Sequence, residues 1–396
     1  MKAIAFTRNL PASDEQALQD IDLPVPDAGP RDLRVRVHAI SVNPVDVKIR
    51  HNRKPQDGQP EVIGWDAAGV VEAVGPQVSL FKPGDRVWYA GALNRPGANS
   101  ELHVVDERLV GHMPGSLDFA QAAAMPLTAI TAWELLFDRL RVLDNQRPSQ
   151  DAILVVGAAG GVGSILVQLA RQLTGLTIIA TASRPETRAW VTELGAHHVI
   201  DHSRPLAAQL AATGHDQVRY IAALTQTDQH FPELVKAIAP QGAMAVIDDP
   251  SAIDVRQLKS KSASLHWEFM FARSMFQTPD MAAQHELLEQ VAALIDTARL
   301  RTTLGEHYGH INAANLRRAH AFIESGRARA GKSYWRVLPL NLAPLRCARP
   351  PRRARTPPAP ARQRPRRDRP PLHYRPAPPL GLRRSNAPHI APTMRR

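Results

Sequence analysis

The run Ile153-Leu154-Val155-Val156-Gly157-Ala158-Ala159-Gly160-Gly161-Val162-Gly163 decides how the rest of the chain reads. Its first four residues are apolar without alternation, which suits a strand inside a sheet covered on both faces. Glycines and small apolar residues fill Gly157 to Gly163, and Ile165, Leu166, Leu169 and Leu173 then recur at helical spacing. Strand, glycine-rich turn and helix in that order make the phosphate-binding unit of a dinucleotide fold. Small residues let the backbone approach a pyrophosphate, and free amides at the helix start face the anion. A tight turn without a ligand can carry the same glycines, but the flanking elements favour the dinucleotide unit. No Gly-Lys-Ser/Thr follows, which excludes a P-loop. Ala159, Gly160, Gly161, Val162 and Gly163 are the expected pyrophosphate contacts.

Downstream, Thr177-Ile178-Ile179-Ala180 is the next strand. Ser183-Arg184-Pro185-Glu186 opens a helix with capping-box spacing and an early proline. A protein that selects NAD usually ends this second strand with Asp or Glu, to bind the ribose 2′-hydroxyl. Here the chain reads Ala180-Thr181-Ala182-Ser183-Arg184, with no acid. A hydroxyl and a guanidinium would instead hold a 2′-phosphate through charge-assisted hydrogen bonds. The expected cofactor is therefore NADP(H), read by Ser183 and Arg184. Further apolar strands at His198-Val199-Ile200, Tyr220-Ile221-Ala222-Ala223-Leu224 and Met244-Ala245-Val246-Ile247 alternate with helices, predicting a doubly wound parallel α/β sheet. Asp248 and His266-Trp267-Glu268-Phe269 follow its last strands, on the crevice side, where they would line the nicotinamide end.

Upstream of about residue 120 the pattern is β-rich. Leu33-Arg34-Val35-Arg36-Val37-His38-Ala39-Ile40 alternates with period two, and Lys82-Pro83-Gly84-Asp85-Arg86-Val87-Trp88 is a Pro-Gly turn entering a strand. Short strands of this kind suggest a partly open barrel or sandwich. Ala120 to Leu140 has helical spacing.

The chain has 396 residues with 49 Lys+Arg against 37 Asp+Glu, a net +12. That charge is concentrated at one end. Ser333 to Arg396 holds 16 Arg, no Lys, one acid and 15 of the 34 prolines, so the preceding 332 residues carry a net −3. A nucleic-acid function drawn from overall charge is weak. The Arg/Pro-rich tail lacks periodicity and is expected to be disordered. A single cysteine, Cys347, excludes a disulfide framework and any thiolate-cluster zinc site. No apolar run reaches the roughly 20 residues of a spanning helix, so a cytoplasmic protein is expected. His307-Tyr308-Gly309-His310 and the His197, His198, His202 group lack a metalloprotease pattern and read as surface or core histidines.

Pro83-Gly84-Asp85-Arg86-Val87, Pro126-Leu127-Thr128-Ala129-Ile130-Thr131-Ala132 and the Ala158–Gly163 turn resemble the medium-chain dehydrogenase/reductase superfamily. Ser41-Val42-Asn43-Pro44-Val45-Asp46 and Gly64-Trp65-Asp66-Ala67-Ala68-Gly69 bring the resemblance closest to its quinone oxidoreductase branch, among the bacterial zinc-type alcohol dehydrogenase-like proteins. The resemblance implies a Rossmann domain at 128–271 and a GroES-like β-rich catalytic domain at 1–127, completed by 272–332. A homodimer with its active site in the cleft is also implied. Metal-dependent members place Cys at the position of Asn43 and His-Glu at Trp65-Asp66, so no catalytic metal is expected. The expected activity is NADPH-dependent reduction of a quinone or an α,β-unsaturated carbonyl. A zinc-dependent alcohol dehydrogenase and a noncatalytic NADPH-binding protein stand as alternatives. Asn43 is the expected donor to the acceptor oxygen, Asp46 and Trp65 line the site, and Thr128 resembles the residue beside the nicotinamide.

Relatives end with a strand of the form Ile-Val-Leu-Glu-Gly-Phe, whereas this chain reads Ser333-Tyr334-Trp335-Arg336-Val337-Leu338. A one-base deletion after Lys332 would generate that ending. Tyr334 to Leu338 retains β-propensity and could still fill the terminal strand. Resequencing the gene across codon 332 checks the shift, and an intact frame there would remove it.

Overall fold

The structure, a computed structural model, describes residues 1–143, 151–326 and 335–339. The first part of the chain is built of short strands: β1 Lys2–Phe6, β2 Gln19–Asp22, β3 Asp32–Val42, β4 Glu61–Val62, β5 Asp66–Val74, β6 Arg86–Tyr89, β7 Leu102–Asp106 and β8 Val110–His112. Helix α1, Pro44–Asn52, follows β3; α2, Phe119–Ala123, and α3, Pro126–Trp133, follow β8. In β3 the alternation is literal: Leu33, Val35 and Val37 are buried while Arg34 and Arg36 face outward toward Glu72. That long strand pairs antiparallel with both β5 and β7.

The second sheet holds β9 Ala152–Val156, β10 Thr177–Thr181, β11 His198–Ile200, β12 Val218–Ala223, β13 Ile238–Val246 and β14 Ser264–Trp267. Its helices are α4 Gly161–Leu173, α5 Pro185–Glu193, α6 Leu206–Leu210 and α7 Thr227–Ala237. All pairings are parallel, in the order β11-β10-β9-β12-β13-β14. That is the doubly wound dinucleotide-binding order, with β9 beside the reversal point where such folds open a crevice. β9 is buried along its whole length, as its unbroken apolar run requires. Helices α8 Ala272–Phe276, α9 Ala283–Asp296 and α10 Ala313–Glu324 come next, with β15 Leu304–His307 between the last two. β15 pairs parallel with β16, Trp335–Pro339, and β16 pairs antiparallel with β3, so the end of the described chain returns to the first sheet.

Three expectations change. The predicted helix over Ala120–Leu140 is broken into α2, α3 and a π-helical turn at Glu134–Arg139. The capping box at Ser183 and Glu186 does not form, because Arg184 occupies the cap position and Pro185 the first helical one. Ser183 lies one residue too early, and its hydroxyl meets His202 Nε2 at 3.4 Å. Within the tail, residues 335–339 form the terminal strand rather than a disordered segment; the remainder of the tail lies outside the described residues.

The glycine turn is held by close backbone approach. Gly157 has φ +80°, a conformation that costs little only for glycine. A Cβ on Gly163 would lie 2.6 Å from the Ala158 Cα and carbonyl oxygen. Gly163→Ala is therefore expected to lower unfolding free energy by about 1–3 kcal/mol through overpacking. Urea denaturation checks it; an unchanged midpoint would show that α4 can slide on β9.

Candidate active site

Three short-range facts place a polar layer where β3, β5 and α3 meet. Asn43 follows β3 and caps α1, with its backbone N–H donating to Asp46 Oδ2 at 2.7 Å. Its side-chain Nδ2 donates to Asp66 Oδ2 at 2.8 Å. Asp66, the first residue of β5, also accepts from the Leu127 N–H at 2.7 Å. Pro126 has no N–H to offer, so Leu127 supplies the first free donor of α3. Thr128 is next, and its hydroxyl donates to the Met125 carbonyl at 2.9 Å.

Asn43, Asp46, Asp66 and Thr128 are all buried to within about 1%. Burial raises both carboxyls. It pushes Asp66 up to about 7, against the opposing hydrogen bonds from Asn43 and Leu127. Asp46 is raised well above the usual carboxylate range by burial, opposed by the Asn43 N–H and reinforced by Asp66. Asn43 Oδ1 and Asp46 Oδ1 are each buried without a hydrogen-bond partner among the described residues.

The Asn43 amide gives one of its two hydrogens to Asp66, and the residue is fully buried. Trp65 is fully buried, its indole N–H donating to the Ala92 carbonyl at 3.0 Å and its ring edge-on to Phe271. It packs the interior and lines no open surface. Asp66 was passed over in the sequence because its significance depends on Leu127, 61 residues away.

The layer connects to the dinucleotide turn through α3, which packs on α4. Ala159, Gly160 and Val162 are partly exposed on the turn, while Gly161 and Gly163 are buried beneath it. The Gly157 N–H donates to the buried Thr181 hydroxyl at 3.1 Å, tying the turn to the end of β10. Ser183 and Arg184 follow β10 directly. Arg184 is half-buried, and its guanidinium has no partner among the described residues. The neighbouring Arg188, by contrast, is fixed on the carbonyls of Ala182 and Val199. These features fit a phosphorylated dinucleotide. Asp248 lies at the carboxyl end of β13 but serves α7, accepting from the Thr227 N–H at 2.9 Å and from its hydroxyl. Its neighbour Asp249 forms an ion pair of 2.6 Å with Lys48 of α1, across to the first lobe. Glu268 is buried and paired with Arg139 at 2.9 Å.

The donor set does not suit zinc. An amide, an indole and a carboxylate already holding two hydrogen bonds stand at the positions in question, whereas zinc takes thiolate, imidazole or free carboxylate. Among the described residues no three His, Cys, Asp or Glu side chains converge as a metal would require.

Fold and site together define a two-lobed, dinucleotide-dependent oxidoreductase. Residues 29–131 match the alcohol dehydrogenase GroES-like domain and residues 194–333 match the zinc-binding dehydrogenase family. A zinc-type alcohol dehydrogenase-like protein of Staphylococcus aureus (strain Mu50) is 38% identical over 331 residues, covering 82% of this chain and 96% of that protein. The chain belongs to the medium-chain dehydrogenase/reductase superfamily, as its motifs implied. Among solved structures, a Rhizobium etli CFN 42 protein provisionally described as a zinc-dependent alcohol dehydrogenase superposes with a TM-score of 0.82 at 54% identity, covering 86% of this chain and 98% of that one. Escherichia coli quinone oxidoreductase complexed with NADPH superposes with a TM-score of 0.71 at 25% identity, covering 86% and 100%.

Because the Asp66 carboxyl moves from an ordinary 3.8 to about 7 on folding, the native protein holds a proton over that interval that the unfolded chain releases. Its contribution to stability is full below the lower value and is lost as pH rises through the upper one. Asp66→Asn is expected to flatten the decline between about pH 5 and 7, in part, since Asp46 titrates in the same direction. Urea unfolding across that range checks it, and parallel curves for the two proteins would refute the assignment.

Proposed function

We propose that the protein is a zinc-independent, NADPH-dependent reductase of quinones or α,β-unsaturated carbonyls. The observation that carries the cofactor is Arg184: a partly exposed guanidinium with no partner among the described residues, at a strand end that offers no carboxylate. Ser183 lies beside it, and His202 stands against Ser183. The bound dinucleotide would supply a hydride; the protein contributes its placement and a cleft closed to water. A conjugated acceptor spreads the incoming charge and needs no Lewis acid, in keeping with a site whose donor set does not suit zinc. Asn43, Asp46, Asp66 and Thr128 act here as positioning residues. They hold the start of α3 against the first lobe and so fix the floor on which the nicotinamide end would rest. The NADPH complex of the E. coli quinone oxidoreductase supports both parts of this reading.

The protein is further proposed to be a cytoplasmic homodimer. Among the described residues no helix is long and apolar enough to cross a membrane. β14 ends the second sheet with one edge unpaired, and Trp267, Phe269 and Phe276 stay largely exposed on and just beyond it. An edge strand flanked by exposed aromatics is an association surface.

Two measurements test these readings. Losing a charge-assisted contact to a phosphate costs about 1.5–3 kcal/mol, so Arg184→Ala should raise KM for NADPH about tenfold or more while leaving NADH unaffected. Wild-type turnover favouring NADH, or faster turnover with simple alcohols than with quinones or enones, would overturn the assignment. Sedimentation of wild type as a dimer and of Trp267→Lys as a monomer would support the association surface; a monomeric wild type would remove it.

A further inference from the structure

A second cavity lies beside β14, sharing no residue with the dinucleotide turn. It has a volume of about 430 Å³, within the range of small-molecule sites, and opens between the π-helical turn and the starts of β12, β13 and β14. Arg139, Arg141, Arg219 and His266 line it, with Asp138 as the single carboxylate.

Two of these cations, Arg141 and Arg219, face the cavity without a close ionic partner among the described residues. Glu134, Asp138 and Asp280 all converge on Arg273, at 2.7, 2.9 and 2.8 Å. Arg139 has Glu268 at 2.9 Å and Glu134 at 3.7 Å, and burial together with the adjacent Glu134 pushes the Glu268 carboxyl up, which weakens its charge against Arg139. Arg219 comes no nearer than 4.0 Å to Asp151, and its Nε is buried without a hydrogen-bond acceptor. Arg141 is exposed and has no partner among the described residues. His266 is held below its ordinary value by burial first and then by the charges of Arg139 and Arg141. Its Nε2 meets Ser264 Oγ at 3.0 Å, so serine and imidazole add neutral hydrogen-bonding groups to the same wall.

We propose that this cavity binds a small multivalent oxyanion, of the size of a phosphorylated sugar or a tricarboxylate, independently of the dinucleotide. Guanidinium groups on separate elements can grip such a ligand from several sides with paired N–H donors. An orthophosphate would fill only a small part of the volume.

The test is isothermal titration of the full chain with fructose 1,6-bisphosphate and, separately, with citrate, using fructose as the uncharged control. The expected result is one saturable site per chain for at least one of the two anions, and which one identifies the ligand source. Arg141→Gln combined with Arg219→Gln should weaken that binding about tenfold or more. Arg141→Gln alone changes only an exposed side chain and should give a smaller loss in the same direction. Arg184→Gln should leave it unchanged, which separates this site from the dinucleotide site. The proposal is overturned if neither anion binds, or if binding survives the double substitution, as binding by the arginine-rich terminus would. Equal loss in Arg184→Gln would likewise assign the anion to the dinucleotide crevice and end the proposal.

Discussion

Asp66 is shut off from water, yet its two oxygens receive hydrogen bonds from residues on two different elements. One donor is the Asn43 amide, at the turn from β3 into α1; the other is the Leu127 N–H, at the start of α3. Removing a carboxylate from water costs several kcal/mol unless such donors replace the solvent, and two of them do not replace it fully. The raised affinity for a proton measures the shortfall. What the arrangement secures is position: the start of α3 is pinned to the first lobe, and α3 in turn packs on the helix that begins at the dinucleotide turn. The nucleotide-binding backbone and the strands of the first lobe thus share one fixed reference point.

On the zinc-independent reading proposed above, the same layer takes the place of an ion. A metal would draw three ligands from separate elements to one centre and organise the cleft in doing so. Here hydrogen bonds perform that task. The Asn43 backbone N–H holds Asp46, its side chain holds Asp66, and Asp66 holds α3. Restoring a single thiolate or imidazole would break this chain of contacts without completing a coordination shell.

How far the sequence could be read follows from the distance over which each feature is decided. The glycine turn, the apolar strands and the switch to a βα pattern are local, and the structure reproduces them with the strand order expected of a dinucleotide fold. The start of α5 was misread by one position because Ser183 and Arg184 both precede Pro185, and capping spacing alone does not choose between them. Asn43, Asp46, Trp65 and Thr128 were recognised as a group, but their burial is a product of packing and not of spacing. The contacts of Asp66 and the arginine-lined cavity are not legible in the sequence for a similar reason. Arg139, Arg219 and His266 come from three elements spread over more than a hundred residues, and only the tertiary fold brings them to one wall.

The terminal strand shows the converse, a place where the fold reads little from the sequence. Residues 335–339 diverge from the ending typical of relatives, yet they pair with β3 from Arg336 opposite Val42 to Pro339 opposite Ala39. β3 is already fixed by β5 and β7, so its remaining edge presents a row of backbone donors and acceptors. Such an edge selects for extended conformation and little else, because ladder hydrogen bonds belong to the backbone. Trp335 and Val337 both favour that conformation. Pro339 cannot donate, and it falls at the last position, where a missing N–H costs the ladder least. A frame change beyond Lys332 would therefore preserve the strand by its β-propensity, without any selection on those residues for the enzyme.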